Sequence, residues 1–577
     1  VYTYDNLISQ NPSQISREVS SLYNDGTNPN KIAVNYSYDK SDRISVITHN
    51  GSNYAFNYDA FGVLNNIKVG SRDLVTYNYA GFDKDYILNN LTYGNGQIVN
   101  YNYDSSNNLT GISFGGLERF KYLYDNMGQS TCSFDYINNI KTLYEVNGDG
   151  SLVTKQTGIN GNNYSHEYFT SADNIFEETI NGKVYKTELV IDKDGRSNGI
   201  KYSPVTGVTT GAEITYDDLG RITSEYIHRT QNSVTNNILQ VKYGYDELPD
   251  YKTTPQVKFI NLYNNSGFNK SLNYQYEFGR ITKANDITYE YDEAGQLKRV
   301  NDPVNGTTAY VYDKGGNIRS VSKYNYTPKG TALGSPTSTI NYGYNDSEWK
   351  DLLTSYKGYG ITYDTIGNPI YYRDTNYRFD WEIGRQLSKV YNDNNTRSIT
   401  TDDTLLYSYT YDDNGLRQSK TKRVGTTDVK TTFTWADGNM THQTDGTNEL
   451  YFRYDSDGSL VGFDHTYNNV TKDYYYVKNL QGDIIAILNN TGVLVAEYEY
   501  DAWGKLLSVK NGSGVDVSSN ASHIANINPF RYRGYYYDVE TGLYYLQSRY
   551  YDAEVGRFIN ADDAKVLGVT RNQVLGA

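Results

Sequence analysis

The residues with chemical potential are few and poorly grouped for catalysis. Six histidines (His49, His166, His228, His442, His465 and His523) are scattered, with no metal-ligand spacing among them. The single cysteine, Cys132, excludes an internal disulfide framework and any multi-cysteine zinc site, and reads most simply as a small buried hydrophobe. Two Asp/Gly segments, Asn147-Gly148-Asp149-Gly150 and Asp455-Ser456-Asp457-Gly458, invite a calcium reading. Both lack the further acidic ligand of a calcium loop, and turn chemistry accounts for them without an ion. Neither a Walker loop nor a dinucleotide-binding loop is present. The many aspartates could suggest the paired carboxylates of a glycosidase. A catalytic pair occurs once, however, whereas these aspartates recur because each hairpin needs a turn. No metal and no cofactor is expected.

The elements that carry those aspartates repeat. Tyr36-Ser37-Tyr38-Asp39 is followed 20 residues later by Phe56-Asn57-Tyr58-Asp59. A spacing of 21 separates Tyr101-Asn102-Tyr103-Asp104 from Tyr122-Leu123-Tyr124-Asp125, and again Tyr289-Glu290-Tyr291-Asp292 from Tyr310-Val311-Tyr312-Asp313. Tyrosines at i and i+2 share one face of a strand. The following Asp caps a turn through nearby backbone amides, a Gly three residues on accepts positive φ, and Leu or Ile then opens the return strand. Each unit predicts a β-hairpin of about 20 residues. Apolar helical stripes are absent, the nearest being an unconvincing one from Asp562 to Val574.

Composition narrows the architecture. Of 577 residues 63 are tyrosine, and tyrosine inflates the 37% apolar content. Aliphatic side chains alone cannot build a thick core, so tyrosine rings must carry much of the burial. The net charge of −14 and the lack of a Lys/Arg run disfavour nucleic-acid and anionic-membrane partners. No apolar run approaches the ~18 residues a spanning helix needs. The opening Val1-Tyr2-Thr3-Tyr4-Asp5 lies inside a repeat, so no signal peptide is expected and the chain reads as a fragment. At ~11 residues per strand the chain makes about fifty strands, a ribbon roughly 240 Å long that must twist and curl. Wound about 40 Å wide, it is too broad for its own side chains to fill. The fold class expected is therefore all-β, with hairpins wound into a hollow spiral shell. Residues 147–165 and 324–340 read as longer surface loops, and 511–528 as either a joint or a surface loop.

The densest stretch is PFRYRGYYYDVETGLYYLQSRYYDAEVGRFINADD, residues 529–563. It closely resembles the core motif of the RHS/YD-repeat family, and the upstream chain resembles that family's YD repeats. The family includes bacterial polymorphic toxins, wall-associated proteins, Tc-toxin C components and teneurins. The resemblance implies a β-cage over 1–510 and an RHS-associated core segment over 529–577, with the linker or surface loop of 511–528 between them. It implies a secreted or cell-surface protein that encloses and delivers its own C-terminal toxin. It also implies a self-cleaving aspartyl peptidase just after the core, served by the Arg of Arg549-Tyr550-Tyr551-Asp552 and by Asp562 after Gly556-Arg557-Phe558. Asp563 stands where the family usually has Pro, and the chain ends before the family's second Asp. The fragment is thus expected to be inactive, and Arg549 and Asp562 either form part of that site or simply lock the strip into the shell. The rival reading is an extracellular scaffold for adhesion or glycan binding, in which a cell-surface glycan or receptor is the partner and Trp349, Trp381, Trp435 and Trp503 stack on sugars.

Overall fold

The computed structural model describes residues 2–3, 13–18, 31–80, 87–147, 151–159, 165–170, 175–205, 208–248, 252–400 and 402–562. Those residues form 49 strands, one four-residue α-helix (Ile524–Ile527) and one short 3-10 turn (Tyr532–Gly534). The segment 563–577, which holds Asp563 and most of the weak helical stripe, lies outside the described residues, as do the tyrosine and aspartate of the opening repeat.

One repeat shows how sequence becomes structure. Ser52–Tyr58 pairs antiparallel with Leu64–Val69, with Tyr54 opposite Val69 and a bulge that places Tyr58 opposite Leu64. The Asp59 carboxylate accepts the amides of Phe61 and Val63, both at 2.9 Å. The Gly62 amide donates to Asp59 O at 3.1 Å, and Gly62 sits at φ +90°, where an L side chain is strained. Asp104, Asp125, Asp192 and Asp217 make the same pair of turn bonds. The aspartates are turn residues.

The bulge explains the second tyrosine of each motif. Skipping one ladder position leaves the carbonyl of the return-strand residue opposite the bulge in need of a donor. The tyrosine of the next repeat supplies it. Tyr58 OH donates to Ile44 O at 2.9 Å, Tyr79 OH to Leu64 O at 3.1 Å and Tyr103 OH to Leu88 O at 3.1 Å. Tyr216, Tyr245, Tyr276, Tyr312, Tyr454 and Tyr500 repeat the contact on Ser197, Ile222, Val257, Leu297, Met440 and Ile484. Each repeat is latched to its predecessor through a phenol, a role that alternation of faces alone did not indicate. Tyr79→Phe is expected to cost about 1 kcal/mol in urea unfolding with the fold retained, the usual net worth of one such bond. A cost near zero would show that water replaces the phenol.

The described residues fall into two compact units: those within 1–118, 286–406 and 558–562 form the first, and those within 119–285 and 407–557 the second. In the first, strands before residue 118 meet those after 286 through side-chain hooks. Asp351 collects His49 Nδ1 at 3.0 Å, Asn50 Nδ2 at 3.0 Å, Tyr54 OH at 3.1 Å and Asn317 Nδ2 at 2.9 Å. Burial opposes the charge there, yet His49, Asn317 and Asn50 hold the Asp351 carboxyl down at about 2. In the second unit the two halves share an aliphatic cluster that includes Ile238, Leu239 and Leu262 on one side and Val477, Ala486 and Leu488 on the other, all at most 2% exposed.

One loop expectation needs adjustment. Leu152–Gly158, inside the stretch read as a loop, is a strand paired with both Ile140–Val146 and Ser165–Thr170. Its Val and Thr content outweighs the surrounding Gly and Asn. Residues 325–337 are a loop, and the buried Arg299 fastens it by donating to Thr327 O at 2.9 Å, Pro328 O at 3.1 Å and Thr331 O at 2.8 Å. Residues 512–528 are pinned as well: Tyr498 OH donates to Ala525 O at 2.7 Å and Tyr476 OH to the fully buried Asn528 Oδ1 at 2.7 Å.

Candidate functional site

The core strip is a four-stranded sheet whose last strand is Arg557–Phe558; its first three strands are Tyr536–Asp538, Leu543–Leu546 and Arg549–Asp552. Each carries a Tyr-Tyr doublet, and successive strand residues point to opposite faces. The register aligns Tyr536 with Tyr545 and Tyr545 with Tyr550, and likewise Tyr537 with Tyr544 and Tyr544 with Tyr551. The strip therefore has a three-tyrosine ladder on each face.

Both ladders are covered inside the second unit. On one face, Tyr545 OH accepts the Arg417 backbone amide at 2.9 Å and Tyr550 OH lies 3.0 Å from Tyr411 OH. On the other, Tyr544 OH donates to Gly504 O at 3.0 Å and Tyr551 OH to Trp503 O at 2.7 Å. Gly504, at φ +88°, leaves room for the Tyr532 ring, which a Cβ would meet at 2.4 Å. An arginine is buried at each ladder. Arg531 lies over the Tyr537 ring at 4.7 Å, and Arg417 over Tyr545 at 4.2 Å and Tyr536 at 4.9 Å.

Arg417 is the centre of the only fully buried ion pair of the strip among the described residues. It is 0% exposed and grips the equally buried Asp538 with two bonds, at 2.7 Å and 3.2 Å. Lys420 adds a bond to Asp538 at 3.0 Å and an ion pair to Glu540 at 2.6 Å. Burial alone would raise the Asp538 carboxyl, but Arg417 and Lys420 reverse that and hold it below the ordinary aspartate value. Burial also works against the charge on Lys420, and Tyr536, Asp538 and Glu540 more than offset it. The wall strand Arg417–Val424 is thereby locked to the end of the first core strand.

The two residues singled out from sequence fall in different places. Arg549 opens the third core strand opposite Leu546, half-buried, in the second unit. Asp562 is half-buried in the first unit, after the Arg557–Phe558 strand. Arg417, Lys420 and Asp538 were not legible as a site. Arg417 and Lys420 are two of 53 basic residues, and their partner lies more than a hundred positions away. The Tyr-Tyr doublets were the available signal. Of the tryptophans, Trp349 and Trp381 are buried at 5% and 7% exposure, which leaves only Trp435 and Trp503 half-open. Among the described residues no cluster of three or more His, Cys, Asp or Glu is placed to hold a metal, and no helix is long and apolar enough to cross a membrane.

A strip of two-faced tyrosine strands fixed on a wall of latched hairpins defines a class. The Teneurin YD-shell family model matches residues 18–574, and the chain belongs to that family. It is 30% identical over 277 residues to the tRNA3(Ser)-specific nuclease WapA of Bacillus spizizenii and 31% over 275 residues to the tRNA nuclease WapA of Bacillus subtilis strain 168; each match covers 47% of this chain. The chain spans only 10% of the length of either relative. The crystal structure of TcdB2-TccC3-Cdc42 superimposes with a TM-score of 0.68 over 93% of this chain and 29% of the other, at 16% identity, so the likeness is one of fold.

Proposed function

We propose that this chain is the encapsulating shell of a secreted bacterial polymorphic toxin, which encloses and delivers a C-terminal effector. The observation that carries the reading is the core strip. The strip is covered on both faces and tied to the wall strand by the buried Arg417–Asp538 pair, as a segment that closes an enclosure must be. The WapA proteins support the reading, since they combine a stretch like this one with a nuclease name. In this account residues 1–510 form the wall, 511–528 the pinned joint and 529–577 the terminal plug. Asp562, with Arg549 upstream of it in the chain, serves the self-cleavage that frees the effector.

Solution scattering tests the enclosing shape. A filled globule of this length has a radius of gyration of ~25 Å. The shell is expected to give a clearly larger value, with a central deficit of density. A value at the filled-globule figure would contradict the enclosing role.

A further inference from the structure

We infer that the second unit carries a binding cavity for a carboxylate borne on a flat apolar body. The inference is independent of whether the shell encloses an effector, because it rests on a cavity between wall turns and the core strip. That cavity has a volume of about 460 Å³ and lies wholly within residues 435–547. Pockets of roughly 300–1,000 Å³ suit small organic ligands or one or two residues of a chain end.

Its lining combines two chemistries. Trp435, Tyr535, Tyr545 and Leu546 supply aromatic and aliphatic surface, and Lys478 and Arg533 supply positive charge. No carboxylate is among the lining residues, although the chain as a whole carries a net charge of −14. The nearest acids are occupied by the turns. Asp455 Oδ1 accepts the amides of Asp457 at 3.0 Å and Ser459 at 2.8 Å, and Asp483 Oδ1 accepts the Arg533 amide at 3.0 Å. Burial pushes both of these carboxyls up, while Lys478 draws Asp455 down and Arg533 draws Asp483 down.

The backbone gives a second and separate sign. Within the described core segment, 529–562, the only non-glycine residues at positive φ are Arg533 at +51° and Gln547 at +56°. Both line this cavity. Left-handed L residues are uncommon and persist where the surroundings over-determine them, often at ligand sites. The surroundings here are specific: Asp483 holds the Arg533 amide, and Gln547 Nε2 donates to Gly438 O at 2.9 Å across the rim. Arg533 is thus anchored by its backbone while its side chain stays exposed. The Arg533 guanidinium lies over the Tyr532 ring at 5.4 Å with its edge open; a guanidinium so placed pairs with a planar carboxylate, and the aromatic surface beside it takes the apolar body.

Titration calorimetry with matched probes tests the inference. N-acetyl-tryptophan is expected to bind at least about tenfold more tightly than N-acetyl-tryptophanamide, which has the same ring without the charge. A tripeptide ending in free phenylalanine, run against its amidated form, shows whether a chain end or only a small free acid is accepted; a preference for the acid in either pair supports the site. Arg533→Gln and Lys478→Gln should each reduce the preference for the acid, with an unchanged circular dichroism spectrum. Leu546→Trp, which enlarges a lining side chain to fill the cavity, should abolish binding and serves if Lys478→Gln disturbs its turn. Equal binding of acid and amide, no binding of any probe at millimolar concentration, or full binding in Leu546→Trp would each overturn the inference.

Discussion

Arg417→Met is expected to destabilise the second unit by about 3–5 kcal/mol, the cost of leaving a buried charge without its main partner. Asp538 would keep only Lys420, which Glu540 also claims. Asp538→Asn should cost a comparable amount, because Arg417 and Lys420 would then face each other with no anion between them. The double variant Arg417→Met/Asp538→Leu separates this from simple loss of packing. Replacing a buried pair with apolar groups is often close to neutral, so the double variant should cost clearly less than the sum of the singles. Urea unfolding followed by tryptophan fluorescence reports on the locus, since Trp435 Nε1 donates to Arg417 O at 2.9 Å. Additive costs would mean that the pair does not act as a unit.

The same pair sets an acid limit. Asp538 has a folded value below its unfolded one, so its stabilisation is complete above the ordinary aspartate value near 4. It is lost as pH falls through the lower folded value. The parent protein should therefore lose stability steeply at strongly acidic pH, and Asp538→Asn should show a shallower acid limb from a lower starting point.

The second large effect concerns self-release. In a full-length form that carries the proposed effector beyond residue 577, Asp562→Asn is expected to stop release of the C-terminal piece, a loss of at least about a hundredfold in cleavage rate. The chemistry asks for two carboxyls, one ionised to activate water and one protonated to polarise the scissile carbonyl. In the proposed self-cleavage Asp562 supplies one of them. Arg549→Met should slow release while leaving Asp562 in place. Electrophoresis over time after purification reads the outcome. Equal cleavage with Asn at 562 would make Asp562 a structural lock.

Much of the fold was legible because each repeat declares its turn. The Asp and Gly of Asp59-Ala60-Phe61-Gly62 define the hairpin locally, and the turn closes as those residue types require. The latch from Tyr79 to Leu64 was harder to see, since it depends on a bulge that no single residue announces. The strand Leu152–Gly158 was hidden by neighbouring glycines and asparagines. At the candidate site the doublets Tyr536-Tyr537, Tyr544-Tyr545 and Tyr550-Tyr551 were visible as density, but their meaning as one ring per face needed the register. Arg417 was invisible in principle, because its role comes from an aspartate more than a hundred residues away.

Protease protection tests the enclosing role most directly. The full-length protein, with Asp562→Asn in place to keep the effector attached, is digested with a broad-specificity protease beside the isolated effector domain. Encapsulation predicts that the effector survives intact inside the native shell and is degraded once the shell is unfolded. Digestion at the rate of the isolated domain, with the shell still folded, would contradict it.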